Sequence, residues 1–328
     1  MAKWGKKYPR HIVRFNTDHF FLTLKGFLTS TLNKKKCIND FERDAAKFLG
    51  SKFALGIPSC RFGIYAFLRQ KSPELGDEVL VPALGFDAVY FAAKEAGYTL
   101  RPVDVSNKDF NINIEKVRES INAQTKGIII THMFGHPCQM EELIEVCREN
   151  GLFLVEDCAH AFGSEYNDKK VGTFGDAGFF SFGVGKVISC FGGGLFVTDS
   201  LDEYEKMKNI VLSLPTPSFF EVITRGVKTL LMHYLTSTWL FPLFTFPIID
   251  LIGRRSLNFF DDFLNEKTTH ESFQRELSRA TQFTVSHALP CHHQLKRLDG
   301  VLEGLRERRG RLICNEGDES RSNGLYIP

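Results

Sequence analysis

Between residues 53 and 199 the chain alternates short apolar runs with amphipathic stretches of about ten residues, and few folds accept that alternation. Runs at 53–57, 79–81, 100–105, 127–131, 152–155 and 177–182 read as strands. Those at 127–131 and 152–155 lack polar alternation, as strands buried on both faces do. Helices are predicted at 41–49, 62–71, 114–121, 140–150 and 202–214. Asn39 or Asp40 offers a cap to the first, which closes at Gly50, and Gly151 stops the fourth. Strands joined by helices rather than hairpins give a mostly parallel α/β sheet covered by helices on both faces. With 328 residues there is room for more than one domain. The expected division is a basic, aromatic segment 1–39, a large domain 40–215, an apolar insertion 216–256 and a C-terminal segment 257–328.

The chemistry concentrates at strand ends. Strand 152–155 runs into Glu156 and Asp157, and acids at the carboxyl end of a parallel strand sit at the mouth of a site. Strand 177–182 delivers Ser181 and, five residues later, Lys186, within a glycine-rich, aromatic, nearly uncharged loop. Such surroundings disfavour the ammonium form, and a lysine of lowered pKa is what imine chemistry needs. Pro58-Ser59-Cys60-Arg61 turns strand 53–57 into the next helix, leaving backbone N–H groups free where a phosphate binds. Arg61 can grip such a phosphate in two-pronged fashion. An acid upstream and a lysine downstream suggest pyridoxal 5'-phosphate (PLP): Lys186 forms the Schiff base and Asp157 keeps the pyridine nitrogen protonated. Singly, each residue has a plain structural explanation, as a surface lysine, a capping aspartate or a helix-start arginine. Order and spacing together favour the site.

The runs VEDCAHAFGSEY, VGTFGDAGFFSFGVGK and GGGLFVT resemble the DegT/DnrJ/StrS family of PLP-dependent sugar aminotransferases. Those enzymes carry an E-D-x-A-[QH] segment, a G-x-x-G-D-x-x-x-F-S-F segment and the cofactor lysine before a glycine-rich strand. The likeness covers about 40–199 and returns weakly at 294–299. It implies a fold-type-I PLP-dependent transferase that transaminates a nucleotide-linked keto-sugar in polysaccharide or secondary-metabolite sugar biosynthesis, with an amino-acid donor such as glutamate. By the same likeness Lys186 is catalytic and His160 contacts the cofactor ring or its phenolic oxygen. Phe86 stacks on the ring, Ser181 with Ser59, Cys60 and Arg61 holds the phosphate, and the protein is a homodimer. Three features depart from the pattern. Cys60 replaces a glycine and is expected to crowd the backbone approach to the phosphate. Gln282 stands where the family has an asparagine that reaches across the dimer, and family members continue past the equivalent of Pro328, so an incomplete C-terminal domain is expected. These departures support a rival reading, a catalytically impaired PLP-fold scaffold or regulatory, membrane-associated binding protein. A PLP-dependent sugar dehydratase is a third, and Lys186 counts against it because those relatives lack the lysine.

Residues 229–249 contain no Asp, Glu, Lys or Arg. Pro242 and Pro247 interrupt the run, and basic residues flank both ends (Arg225 and Lys228, then Arg254 and Arg255). A single crossing would place one basic flank on the wrong side, so a hydrophobic hairpin or interfacial helix is expected, touching a membrane surface or buried in a dimer. Eight cysteines without a CxxC pair suggest neither a disulfide framework nor a zinc site, and fit a reducing cytoplasm. His292 and His293 are adjacent on a predicted helix, cannot converge on one metal, and are expected at the surface. No metal is expected, and a net charge of +2 calls for no nucleic acid partner. No signal peptide is read at 1–14.

Overall fold

A computed structural model describes residues 13–28, 34–237, 239–248, 269–304 and 320–321. The chain opens with helices α1 (Thr17–Leu28) and α2 (Lys34–Leu49). Because α2 begins at Lys34, Asn39 and Asp40, expected to cap a helix at 41–49, lie inside it. Strand β1 (Phe53–Ile57) leads into α3 (Cys60–Gln70), then β2 (Glu78–Pro82), α4 (Asp87–Ala96), β3 (Thr99–Val103) and α5 (Ile114–Ser120). Next come β4 (Thr125–Thr131), α6 (Met140–Asn150) and β5 (Phe153–Asp157). Gly151 closes α6 at φ 63°, the left-handed turn that glycine adopts without strain. Two short strands, β6 (Glu165–Tyr166) and β7 (Lys169–Lys170), precede β8 (Ala177–Ser181), β9 (Gly194–Thr198) and α7 (Leu201–Ser213). Beyond Pro215 and Pro217 lie α8 (Phe219–Leu235), a π-helical turn at Phe241–Thr245, α9 (His270–Ser278), α10 (Val285–Leu295) and β10 (Ser320–Arg321). Part of the expected C-terminal segment 257–328 lies outside the described residues.

Seven strands form one sheet in the order β1-β9-β8-β5-β4-β2-β3, and β9 alone runs antiparallel to its neighbours. The register aligns the site edge: Ile57 and Ser181 both pair with Gly194, Asp157 pairs with Phe179, and Thr131 pairs with Asp157. Alternate strand residues feed opposite layers. Val155 and Phe179 face the α3/α4 side with Phe67 and Ala93, whereas Leu154 meets Leu143 and Val146, and Phe180 meets Phe41 and Phe182. Each fully buried phenylalanine contributes ~2 kcal/mol by removal from water. A Cβ at Gly63 would stand 2.4 Å from Ile57 and 2.8 Å from Phe179. That glycine therefore lets α3 lie close on the sheet, with its N-terminus over the site edge.

Residues distant in sequence complete this body. Ala288, Cys291 and Leu295 of α10 share a core with Phe41 and Phe182, and Phe273 of α9 is buried beside Ala92 and Ala93. Val222, Gly226 and Thr229 form the buried face of α8, and the ring of Phe27 on α1 lies 4.7 Å from that of Phe219, tilted by 52°. Among the described residues no helix is long and apolar enough to cross a membrane.

Candidate active site

Asp157 ends β5 and is buried. Its Oδ1 accepts the Ala159 N–H at 3.0 Å and the Cys60 thiol at 3.6 Å, while Oδ2 accepts the Thr131 hydroxyl at 3.4 Å. Burial pushes the carboxyl above its ordinary pKa; the Ala159 N–H and the nearby Lys186 charge pull the other way. Oδ2, with one long partner, keeps capacity for a further N–H donor. Burial also drives the Cys60 thiol well up, so it acts as a neutral donor to Asp157. The Cys60 side chain, expected to crowd a phosphate, is turned to the aspartate.

Lys186 sits in the loop between β8 and β9, partly buried. Desolvation lowers its pKa to about 8; Asp157 opposes that shift and Arg61 adds to it. These mutual influences place Lys186, Asp157, Cys60 and Arg61 in one neighbourhood. Gln294, on α10, holds the loop: its side-chain oxygen accepts the Ser189 N–H at 3.0 Å and its NH2 donates to the Ser189 carbonyl at 2.8 Å. Sequence reasoning assigned Gln294 no role, although the QLKRLD stretch that begins there carried the weak second match.

The turn into α3 forms an anion cup. Ser59 caps the helix by accepting the Phe62 N–H at 3.2 Å and donates its hydroxyl to Glu276 Oε1 at 2.8 Å. Arg61 Nε lies 2.9 Å from Glu276 Oε1 and 2.7 Å from Oε2. The carboxylate of Glu276, which no sequence signal indicated, thus occupies the Ser59–Arg61 turn that was expected to hold a phosphate. A Cβ at Gly194 would lie 2.9 Å from the Cys60 nitrogen, so glycine is needed where β9 passes under the cup. A cavity of about 520 Å³ opens here, lined by Ser59, Arg61, Glu276, Arg225, Arg275 and Arg279 among others.

The remaining predicted residues divide. Ser181 ends β8 with its Oγ accepting the Gly183 N–H at 3.3 Å, and His160 is half-buried in the turn after β5. Phe86 precedes α4 at the same end of the parallel strands, 58% exposed, with a face free to meet a ligand. Glu156 does not join the site. Its oxygens accept three backbone N–H groups, from Gly172, Phe174 and Gly175, each at 2.7 Å, and His132 Nε2 lies 3.0 Å away. His132 Nδ1 accepts the Cys138 N–H, so the proton is on Nε2 and is donated to Glu156. With Cys158 these two offer ligand atoms within 4.8 Å, but the carboxylate is already committed to a structural clasp. Gln282 donates to the carbonyls of Leu212 and Leu214, tying the start of α10 to the end of α7. His292 and His293 diverge, as adjacent helical residues must, but not onto open surface: His292 pairs with Asp44 at 2.8 Å and His293 meets His19 at 3.2 Å.

A mostly parallel seven-stranded sheet, a buried aspartate ending β5 and a low-pKa lysine after β8 define the class: α/β proteins built like the PLP-dependent sugar aminotransferases. The chain belongs to the DegT/DnrJ/EryC1/StrS aminotransferase family, whose model matches residues 19–229. It is 36% identical to the GDP-perosamine synthase of Escherichia coli O157:H7 over 174 residues, 53% of this chain and 48% of that protein. It is 32% identical over 192 residues to the dTDP-3-amino-3,6-dideoxy-alpha-D-galactopyranose transaminase of Aneurinibacillus thermoaerophilus, covering 58% of this chain and 53% of that one. The chain thus spans about half the length of the curated relatives it matches. The fold is similar to the Helicobacter pylori aminotransferase PseC, with TM-score 0.70 and 21% identity over 98% of this chain and 76% of that one.

Proposed function

We propose that the chain acts as a PLP-dependent aminotransferase on a nucleotide-linked keto-sugar, with an amino acid such as glutamate as donor. The observation that carries this reading is the meeting, at one sheet edge, of a buried Asp157, a Lys186 of lowered pKa and a cup that already grips an oxyanion. The residues fit PLP. Glu276 is a stand-in anion for the phosphate, Asp157 has an oxygen left for a ring N–H, and Lys186 is deprotonated readily enough to form an imine. When bound, PLP supplies an electron sink for proton removal beside the amine nitrogen. Lys186 would hold the cofactor through its amine, and that amine would move a proton at the substrate carbon bearing the nitrogen. Asp157 holds the ring N–H, kept in place by Ala159, Thr131 and Cys60. Ser59, Arg61, the Cys60 backbone N–H and Ser181 would hold the phosphate, and Phe86 and His160 would meet the ring.

The relatives' names, GDP-perosamine synthase and a dTDP-amino-sugar transaminase, support a nucleotide-linked sugar as substrate. Seven described cysteines are free thiols, which supports a reducing cytoplasm. We further read the protein as a homodimer, with the apolar stretch 229–249 in peripheral contact with a membrane. The test of the activity is a visible absorbance spectrum with added PLP, before and after glutamate. A band absent in Lys186→Ala and bleached by glutamate is expected. A band that no amino acid moves would make the chain a binding scaffold, and no band in folded protein would defeat the cofactor assignment.

A further inference from the structure

Glu276 holds the cup with three contacts, from the Ser59 hydroxyl and from Arg61 Nε to both carboxylate oxygens. Its charge also faces the N-terminus of an 11-residue helix, where backbone N–H groups favour an anion. A phosphate cannot take Ser59 and Arg61 while Glu276 keeps them. We propose that Glu276 is an internal, displaceable anion of this cup, so that a phosphate group binds only as the carboxylate swings out. The proposal rests on reading the cup as the cofactor's phosphate site.

The surroundings allow such an exchange. Phe273, one turn earlier on α9, is fully buried, so the helix is anchored and a side-chain rotation suffices. Arg225, Arg275 and Arg279 line the same cavity; Arg225 faces Glu221, and no ion pair to an acid holds Arg275 or Arg279 among the described residues. Arg279 lies three positions beyond Glu276, the spacing of neighbours on a helical surface. A released carboxylate therefore finds new cationic partners at the rim. Arg61 and Glu276 are each about 30% exposed (31% and 30%), so water and ligand reach the pair. A phosphate monoester brings close to two negative charges against one for the carboxylate, which favours the exchange when phosphate is present. Its apparent affinity is reduced by the fraction of molecules in which the cup is open.

The experiment compares full-length wild type with Glu276→Gln, which keeps the shape and removes the charge. Inorganic phosphate is the probe, by equilibrium dialysis and by the phosphate-dependent rise in Tm, with PLP titrated separately. Phosphate is expected to bind about tenfold more tightly to Glu276→Gln, and Arg61→Ala in that background to abolish the gain. Circular dichroism and a second variant, Glu276→Ala, guard against a folding artefact. Equal or weaker phosphate binding in both variants, or none in any chain, overturns the proposal. Phosphate binding needs no lysine, so the comparison is repeated in Lys186→Ala. Tighter phosphate there, with no PLP band in wild type, would leave the exchange standing and defeat the cofactor reading alone.

Discussion

Lys186 must lose its proton before it can attack a carbonyl, and desolvation in its loop brings that loss down to about pH 8 from the ordinary 10.5. Asp157 acts in the opposite direction. The rate of PLP capture, followed by stopped-flow absorbance, should therefore rise with pH and level off above about 8. In Asp157→Asn the opposing charge is gone, so the midpoint should move lower still. A wild-type midpoint near 10 would mean that the lysine is solvated and not preorganised for imine formation. Asp157 was legible because acids are rare at the end of an apolar strand and strand parity fixes where it points, and Lys186 because it is a lone lysine in a glycine-rich, nearly uncharged loop. The same parity separates Glu156 from Asp157. Neighbours on a strand face opposite sides, so one of the pair had to leave the site for the clasp with His132. Glu276 was not legible, since it meets Arg61 across 215 positions and no local pattern announces that contact.

Every strand predicted between 53 and 182 is present with its end shifted by at most two residues, because short apolar runs between helices have no other way to bury both faces. The antiparallel β9 and the joining of α10 to the cofactor-side loop were not readable, since both depend on contacts far apart in sequence. That joining gives α10 a function. Gln294 satisfies both the N–H and the C=O of Ser189, three residues beyond Lys186, and so fixes the loop from which the lysine projects. In Gln294→Ala these bonds are lost and Lys186 samples more positions, at a cost of about 1–2 kcal/mol of ordering. PLP titrated by its visible band should bind roughly tenfold more weakly, while the exposed neighbour change Lys296→Ala should leave the band unaltered. Equal effects from the two would show that α10 does not position the loop.

Seen as a whole molecule, the protein buries one face of α8 on α1 and leaves a second apolar face open. Phe220 is 79% exposed, Trp239 81% and Leu243 66%, with Phe21 and Leu28 of α1 and Leu231, Phe244 and Ile248 also exposed. The Thr245 hydroxyl donates to the Leu235 carbonyl at 2.8 Å and folds the turn at Phe241–Thr245 back toward α8. The sequence showed the apolar run but not which side of it the fold covers, because burial here depends on α1. From 222 to 248 the charged residues are Arg225 and Lys228, with no acid. Exposed Trp, Phe and Leu beside cations match an interfacial surface facing anionic lipid, whereas a wet monomer surface rarely keeps so large an apolar patch. Full-length protein should therefore float with vesicles containing anionic lipid, and less with neutral ones. Trp239→Asp with Leu243→Asp should leave it at the bottom of the gradient, with an unchanged PLP band to show that the fold survives. Wild type that fails to float, yet forms a dimer by light scattering that the double change dissolves, would assign this face to a second copy of the chain and end the lipid reading.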